Sequence, residues 1–258
     1  MSGAADLTTT VHGLLDDVDG ALDGPLQDAS RLLLDTVRAD GLIWVAGAGH
    51  SLAMVCETFY RAGGLACVRP LWHPDIFPLT SALGSTRAER RVGLGAQVVR
   101  EADVAEPSVA VVFSTSGSNP YPVEVAAALR RRSVEVVAVT SGQASAGAAR
   151  RSGDRLLDHA SIVLDTAVPA GDVVFPPASP RTAAVSTLSA AYVWARLLAE
   201  LDDAAEAGQV VLPRWRSANV PDGDRANAAL MSRYGPVVPE LGTGDWAGAD
   251  ARGEQPRD

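Results

Sequence analysis

Val109-Ala110-Val111-Val112-Phe113-Ser114-Thr115-Ser116-Gly117-Ser118-Asn119-Pro120 is the stretch on which the fold of this chain turns. Five apolar residues in a row, closed by turn residues, suit a strand buried on both faces, which is how strands of a parallel sheet read. The segment Tyr121 to Arg132 reads as a helix that opens with proline, whose missing N–H has no partner at the first helical position in any case. Hydroxyls therefore crowd between a strand end and a helix start. A helix N-terminus carries unpaired N–H groups and the positive end of the macrodipole, so the place favours an anion, most simply a phosphate.

Outward from this stretch the alternation repeats. Gly41 to Gly47 reads as a first strand, Ser51 to Ala62 as a helix stopped by Gly63-Gly64, and Leu65 to Arg69 as a short second strand. Glu89 to Asp103 reads as a helix, Val134 to Thr140 and Ile162 to Leu164 as strands four and five, and Thr182 to Leu201 as a long apolar helix. Ser145 to Leu157 is polar and fits neither type. Leu7 to Arg38 carries apolar residues at helical spacing, divided at Gly24-Pro25 into two helices. Strands alternating with helices predict an α/β fold with a parallel sheet covered on both faces, and ligands of such sheets bind beyond the carboxyl ends of the strands. The expected organisation is a helical segment over 1–40 that mediates dimerisation, a main domain over 41–203, an arm over 204–235, and a disordered tail over 236–258.

Composition narrows the function. At 258 residues the chain can bury roughly three quarters of its unfolded surface. The formal charge of −9 argues against a nucleic-acid surface, and no apolar run reaches the ~20 residues of a membrane span. Met1 to Thr10 is polar, without the basic start and apolar core of a leader, so a cytoplasmic protein is expected. The two cysteines, Cys56 and Cys67, form no metal or redox motif and read as buried thiols. All 22 basic residues are arginine. Without lysine there is no Schiff base and no lysine on a phosphate, so an anion site must use backbone, hydroxyls or arginine.

A second loop repeats the theme. Gly47-Ala48-Gly49-His50-Ser51 follows the first strand and opens a helix, but it is no dinucleotide fingerprint, because Leu52 stands where a third glycine would be needed. Further candidates lie elsewhere. Glu57, seven residues after His50, would share a helix face with it and could act as a general base; equally, it could form an i,i+4 ion pair with Arg61. His73, in a Trp-His-Pro-Asp loop, is either a catalytic group or a packed loop histidine. Gly171-Asp172 follows the fifth strand, where an acid could orient hydroxyls of a ligand or cap local backbone.

The two loops together resemble those of the SIS (sugar isomerase) domain family, in which a glycine-rich turn with serine follows strand one and a Ser-x-Ser-Gly-x-Thr loop follows a later strand. Here Asn119 stands in place of the final threonine. The likeness is strongest to a branch of sugar isomerase domain-containing proteins, with comparable stretches at Gly49-His50-Ser51, Glu57 to Gly64, Ser116 to Pro120, Pro169 to Asp172 and Asn219 to Asn227, and it runs from about residue 5 to 235. The resemblance implies a three-layer, flavodoxin-like αβα fold with a five-stranded parallel sheet, a phosphosugar ligand, and a homodimer or homotetramer. It implies Gly49, Ser51, Ser114, Ser116, Gly117, Ser118, Asn119, Asp172, Ser186 and Thr187 around the ligand, with Glu57, His50 or His73 moving the proton. No metal and no cofactor are expected. The expected activity is aldose–ketose isomerisation of a sugar phosphate or amino-sugar phosphate; the alternatives are a phosphosugar sensor without chemistry and an amino-sugar phosphate lyase or etherase.

Overall fold

The computed structural model describes residues 3–242. The chain begins with two helices, α1 (Gly3–Leu22) and α2 (Pro25–Arg38), broken at Gly24-Pro25 as the sequence suggests. It continues through β1 (Leu42–Gly47), α3 (Leu52–Thr58), β2 (Val68–Leu71), α4 (Ala82–Glu89), α5 (Leu94–Glu101), β3 (Ser108–Phe113) and α6 (Pro120–Arg130). Then follow β4 (Glu135–Thr140), α7 (Gly142–Gly147), β5 (Ile162–Asp165), the short strands β6 (Val173–Phe175) and β7 (Thr182–Ala184), α8 (Ser186–Ala207) and α9 (Gly223–Tyr234). The main sheet has five parallel strands in the order β2-β1-β3-β4-β5, the flavodoxin-like order, with helices on both faces. Among the described residues, no helix is long and apolar enough to cross a membrane.

The register matters most for function. Gly47 pairs with Phe113, Phe113 with Val139, and Thr140 with Asp165, so the carboxyl ends of four strands finish level. The loops that leave them share one rim. The strand order reverses between β1 and β3, and that crevice lies between the two serine-bearing loops. Beneath it the sheet is dry: Ile43, Val45, Ala110, Val111, Val112, Val136, Val137 and Ala138 are fully buried. Trp44 is tied down by its indole N–H, which donates to Ser108 Oγ at 3.1 Å, and Phe113 meets the Trp194 ring edge-on at 6.3 Å. Burial pushes the Tyr121 phenol upward, and its hydroxyl donates to the Leu71 carbonyl at 2.9 Å.

Four segments depart from the sequence reading. The helix expected over 89–103 is confined to α5, which Gly93, at φ +91°, starts, while a separate helix, α4, precedes it and is capped by Ser81, which accepts from the Gly84 N–H at 3.0 Å. The helix expected to reach Ala62 stops at Thr58; Phe59 is extended and Tyr60 left-handed. Strand two begins at Val68 rather than Leu65, because Ala66 gives its N–H to the Pro213 carbonyl at 2.7 Å and Leu65 bridges Arg214. The final helix starts at Ser186, since Thr182–Ala184 pairs with β6 in an antiparallel ribbon.

The apolar faces of α1, α2 and α8 pack within this chain: Val18, Leu22, Ala29, Leu33, Val193, Leu197 and Leu201 all lie in the core. Of the tail expected to be disordered, residues 236–242 pack on the domain. Val238 is fully buried there, and Glu240 accepts from Arg69 Nε at 3.1 Å. Residues 243–258 lie outside the described residues. Cys67 is buried as expected, which lifts its thiol to about 12, whereas Cys56 is exposed.

Candidate functional site

A cavity of about 460 Å³ opens at the level strand ends. Its walls come from the loop 48–51, the loop 114–116, α4 through Thr86 and Glu89, the α7 segment, and the stretch 169–172 with Ser186.

The first loop leaves β1 through an extended Ala48, turns at Gly49 (φ +58°) and enters a single 3₁₀ turn, Gly49–Ser51, ahead of α3. A Cβ built on Gly49 would stand 3.5 Å from Glu89 Oε2, so the Glu89 carboxylate lies beside Gly49. The second loop is braced from within. Ser114 Oγ accepts from the Gly117 N–H at 3.2 Å, and the Ser116 and Ser118 hydroxyls stand 3.1 Å apart. The Thr115 carbonyl accepts from the Ser141 N–H at 3.0 Å and from Thr140 Oγ1 at 3.2 Å. Gly117 sits at φ +55°, and a Cβ there would press to 3.0 Å on Leu156 Cβ, so glycine is required by both torsion and space.

The helix behind this loop offers less than the sequence suggests. Both Pro120 and Pro122 fall in the first three positions of α6 and have no N–H to give. Asn119 makes no capping bond; its Oδ1 accepts from Arg151 Nη1 at 3.2 Å. Any anion here must be held mainly by the loop's hydroxyls and its own backbone N–H groups.

Asp172, at φ +70°, closes the opposite wall. Its Oδ1 accepts from the N–H groups of Val185 and Ser186 at 3.1 and 2.7 Å, and its Oδ2 accepts the Ser186 hydroxyl at 2.7 Å. The carboxylate thus occupies the positive end of α8 and fixes Ser186 in the cavity wall.

Of the candidates, Gly49, His50, Ser51, Ser114, Ser116, Asp172 and Ser186 line the cavity. Thr187 lines a small hollow beneath it, together with Ser51 and Ser114. Gly117 and the fully buried Ser118 support the loop from behind. Glu57 does not line the cavity: with α3 ended at Thr58 it pairs with Arg61. His73 does not line it either, its Nδ1 accepting from the Asp75 N–H at 3.1 Å to cap the 3₁₀ turn Pro74–Ile76. The wall also holds Thr115 of the hydroxyl loop, and Glu89 and Thr86, which sequence reasoning passed over. The side chains of Glu89 and His50 make no hydrogen bond or ion pair with any other described residue. Among the described residues no three of His, Cys, Asp and Glu gather closely enough to hold a metal ion.

The family model described as SIS domain matches residues 8–141. This chain belongs to the SIS domain family. The SIS domain protein is 34% identical over 221 residues to the UPF0309 protein lin2794 of Listeria innocua, a match covering 84% of this chain and 90% of that one. It is 36% identical over 236 residues to a UPF0309 protein of Streptomyces avermitilis, covering 86% and 91%. A UPF0309 protein of Brucella anthropi is 33% identical over 238 residues, covering 92% and 96%. Among solved structures, the phosphoheptose isomerase GmhA of Neisseria gonorrhoeae superposes with a TM-score of 0.52 at 20% identity, over 78% of this chain and 96% of that one. A phosphoheptose isomerase of Francisella tularensis gives 0.52 at 17% identity, over 79% and 100%. At that distance the two establish the shared fold.

Proposed function

We propose that this SIS domain protein binds a phosphorylated sugar in the rim cavity and interconverts its aldose and ketose forms. The observation that carries the reading is the polarity of the cavity. One wall is hydroxyls (Ser51, Ser114, Ser116), and the carboxylates Glu89 and Asp172 lie on others. A phosphate is repelled by the carboxylates and is received by the hydroxyls, so the ligand has one favourable direction. Its phosphate lies on the serine loops and its carbonyl end lies towards Glu89. Binding energy from the non-reacting phosphate then orients the reacting carbons.

Glu89 replaces Glu57 as the carboxylate of this reading, because it faces the cavity without a competing partner. It takes the proton from C2 as the C1 carbonyl oxygen gains one, giving an enediol. The O2 proton then leaves and C1 receives the proton held by Glu89, which completes the ketose. His50 carries the oxygen-bound proton between O1 and O2, a task suited to an imidazole, which offers one donor and one acceptor nitrogen. Both fold neighbours named above are phosphoheptose isomerases, which makes sugar phosphates the first ligands to try.

The test is a thermal-shift panel of hexose, heptose and amino-sugar phosphates beside their unphosphorylated sugars, followed by proton exchange at C2 in heavy water. Stabilisation by phosphorylated ligands alone, with deuterium entering at C2, supports the isomerase. Binding without exchange would identify a sensor, and release of a C3 substituent would identify a lyase or etherase.

A further inference from the structure

Beneath the cavity floor lies a hollow of about 10 Å³, bounded by Ser51, Ser114, Thr166, Ser186 and Thr187 with Phe113 below. That is close to the room one oxygen atom of water size requires. Ser51, Ser114, Thr115 and Ser186 line both spaces, so the hollow shares a wall with the cavity above.

Thr166 is the unusual member. It follows directly on β5, is 3% exposed, and its Oγ1 is buried with no hydrogen-bond partner among the described residues. Its backbone is fully engaged: the N–H donates to the Thr140 carbonyl at 2.9 Å, and the carbonyl accepts from Ser189 Oγ at 2.6 Å. The side chain is therefore held in place while its hydroxyl hydrogen is left over. A buried hydroxyl without a partner is costly, and valine would fill the same volume without that cost. The neighbouring groups show what the hollow suits. Ser114 Oγ already accepts from Gly117, which leaves its own hydrogen to give. The hydroxyls of Ser51 and Thr187 have no hydrogen-bond partner among the described residues. Ser186 has committed its hydrogen to Asp172. The hydroxyl hydrogens of Ser51, Ser114, Thr166 and Thr187 thus have no acceptor among the described residues, and an oxygen that only accepts could take them.

We infer that Thr166 is a ligand-contact residue, its hydroxyl donating to one oxygen of the ligand's oxyanion that seats in the hollow between Ser51 and Ser114. The inference rests on the reading of the cavity as a phosphosugar site. It adds a contact from the far side of the sheet's switch point, on a strand end that carries neither serine loop.

Thr166→Val tests it through two readouts. Without ligand the variant should unfold near the parent's temperature, because the hydroxyl bonds no described protein group. With inorganic phosphate or glucose 6-phosphate as probe, its Kd should rise at least tenfold, on the order of the contribution of one charge-assisted hydrogen bond. Thr166→Ser, which keeps the hydroxyl, should restore binding. Thr166→Ala serves as the hydroxyl deletion if valine does not fold. A lower melting temperature for the valine variant would mean the hydroxyl has a structural partner, and unchanged affinity would mean it touches no ligand; either overturns the inference while leaving the cavity reading intact. If the parent protein itself binds neither probe nor any other sugar phosphate, the cavity reading fails and the role of Thr166 falls with it.

Discussion

Asp172 offers the sharpest test of how the site is built. Three contacts converge on its carboxylate, two from the first N–H groups of α8 and one from the Ser186 hydroxyl, and its own backbone is left-handed at φ +70°. Three substitutions separate these parts. Asparagine tolerates the left-handed torsion and keeps one carbonyl oxygen, but loses the charge and the second acceptor, so it should cost about 1 kcal/mol. Glycine removes the whole cap while accepting the torsion, for about 2 kcal/mol. Alanine removes the cap and adds the torsional penalty, for about 3 kcal/mol. Each kcal/mol lowers the melting temperature of a domain this size by roughly 2–4 °C, so differential scanning calorimetry resolves the series. The expected order of stability is Asp, Asn, Gly, Ala. A glycine variant as stable as the parent would refute the capping argument, and alanine matching glycine would refute the argument from torsion.

Ser114→Ala should weaken glucose 6-phosphate binding at least tenfold and lower stability by about 1 kcal/mol, since the Gly117 N–H loses its acceptor; titration calorimetry and thermal melts read the two effects. Glu89→Gln should abolish deuterium exchange at C2 while sparing ligand binding, whereas Glu57→Gln should leave turnover near the parent's. The Glu57–Arg61 pair is partly exposed, so breaking it should change stability by less than about 1 kcal/mol. Alkali should destabilise the fold through Cys67. Burial raises its thiol from 9.0 to about 12, so above pH 9 the unfolded chain sheds a proton that the folded chain retains, and stability is lost as pH climbs through that window. Denaturant midpoints between pH 8 and pH 11 should fall less steeply in Cys67→Ala; equal slopes would remove Cys67 as the cause.

What could be read from the chain, and what could not, follows from the range of the forces involved. Strands β1, β3 and β4 are legible because two-sided burial demands near-continuous apolar runs, and Val109–Phe113 admits little else. The serine loops are legible because they must follow such runs. Glu57 was singled out by counting helical turns from His50, but the helix ends at Thr58 and His50 lies in a 3₁₀ turn, so the count has no physical basis. Glu89 escaped notice for the converse reason. It looked like the start of a helix and is the end of one, and only the packing of α4 against the first loop turns it to the cavity. Thr166 and the ribbon of β6 and β7 depend on partners many residues away, beyond the reach of local periodicity.

The strand order also bears on how the protein is made. Once β1 and β2 have emerged from the ribosome, β3 adds to the free side of β1, and β4 and β5 then add one after another in the direction of synthesis. Each newly made strand meets an edge that is already waiting, and that edge is covered by the next segment to be translated. The growing end of the sheet is therefore the surface a trigger-type chaperone would have to shield. A stalled nascent chain ending after β4 would expose the edge that β5 closes in the finished molecule.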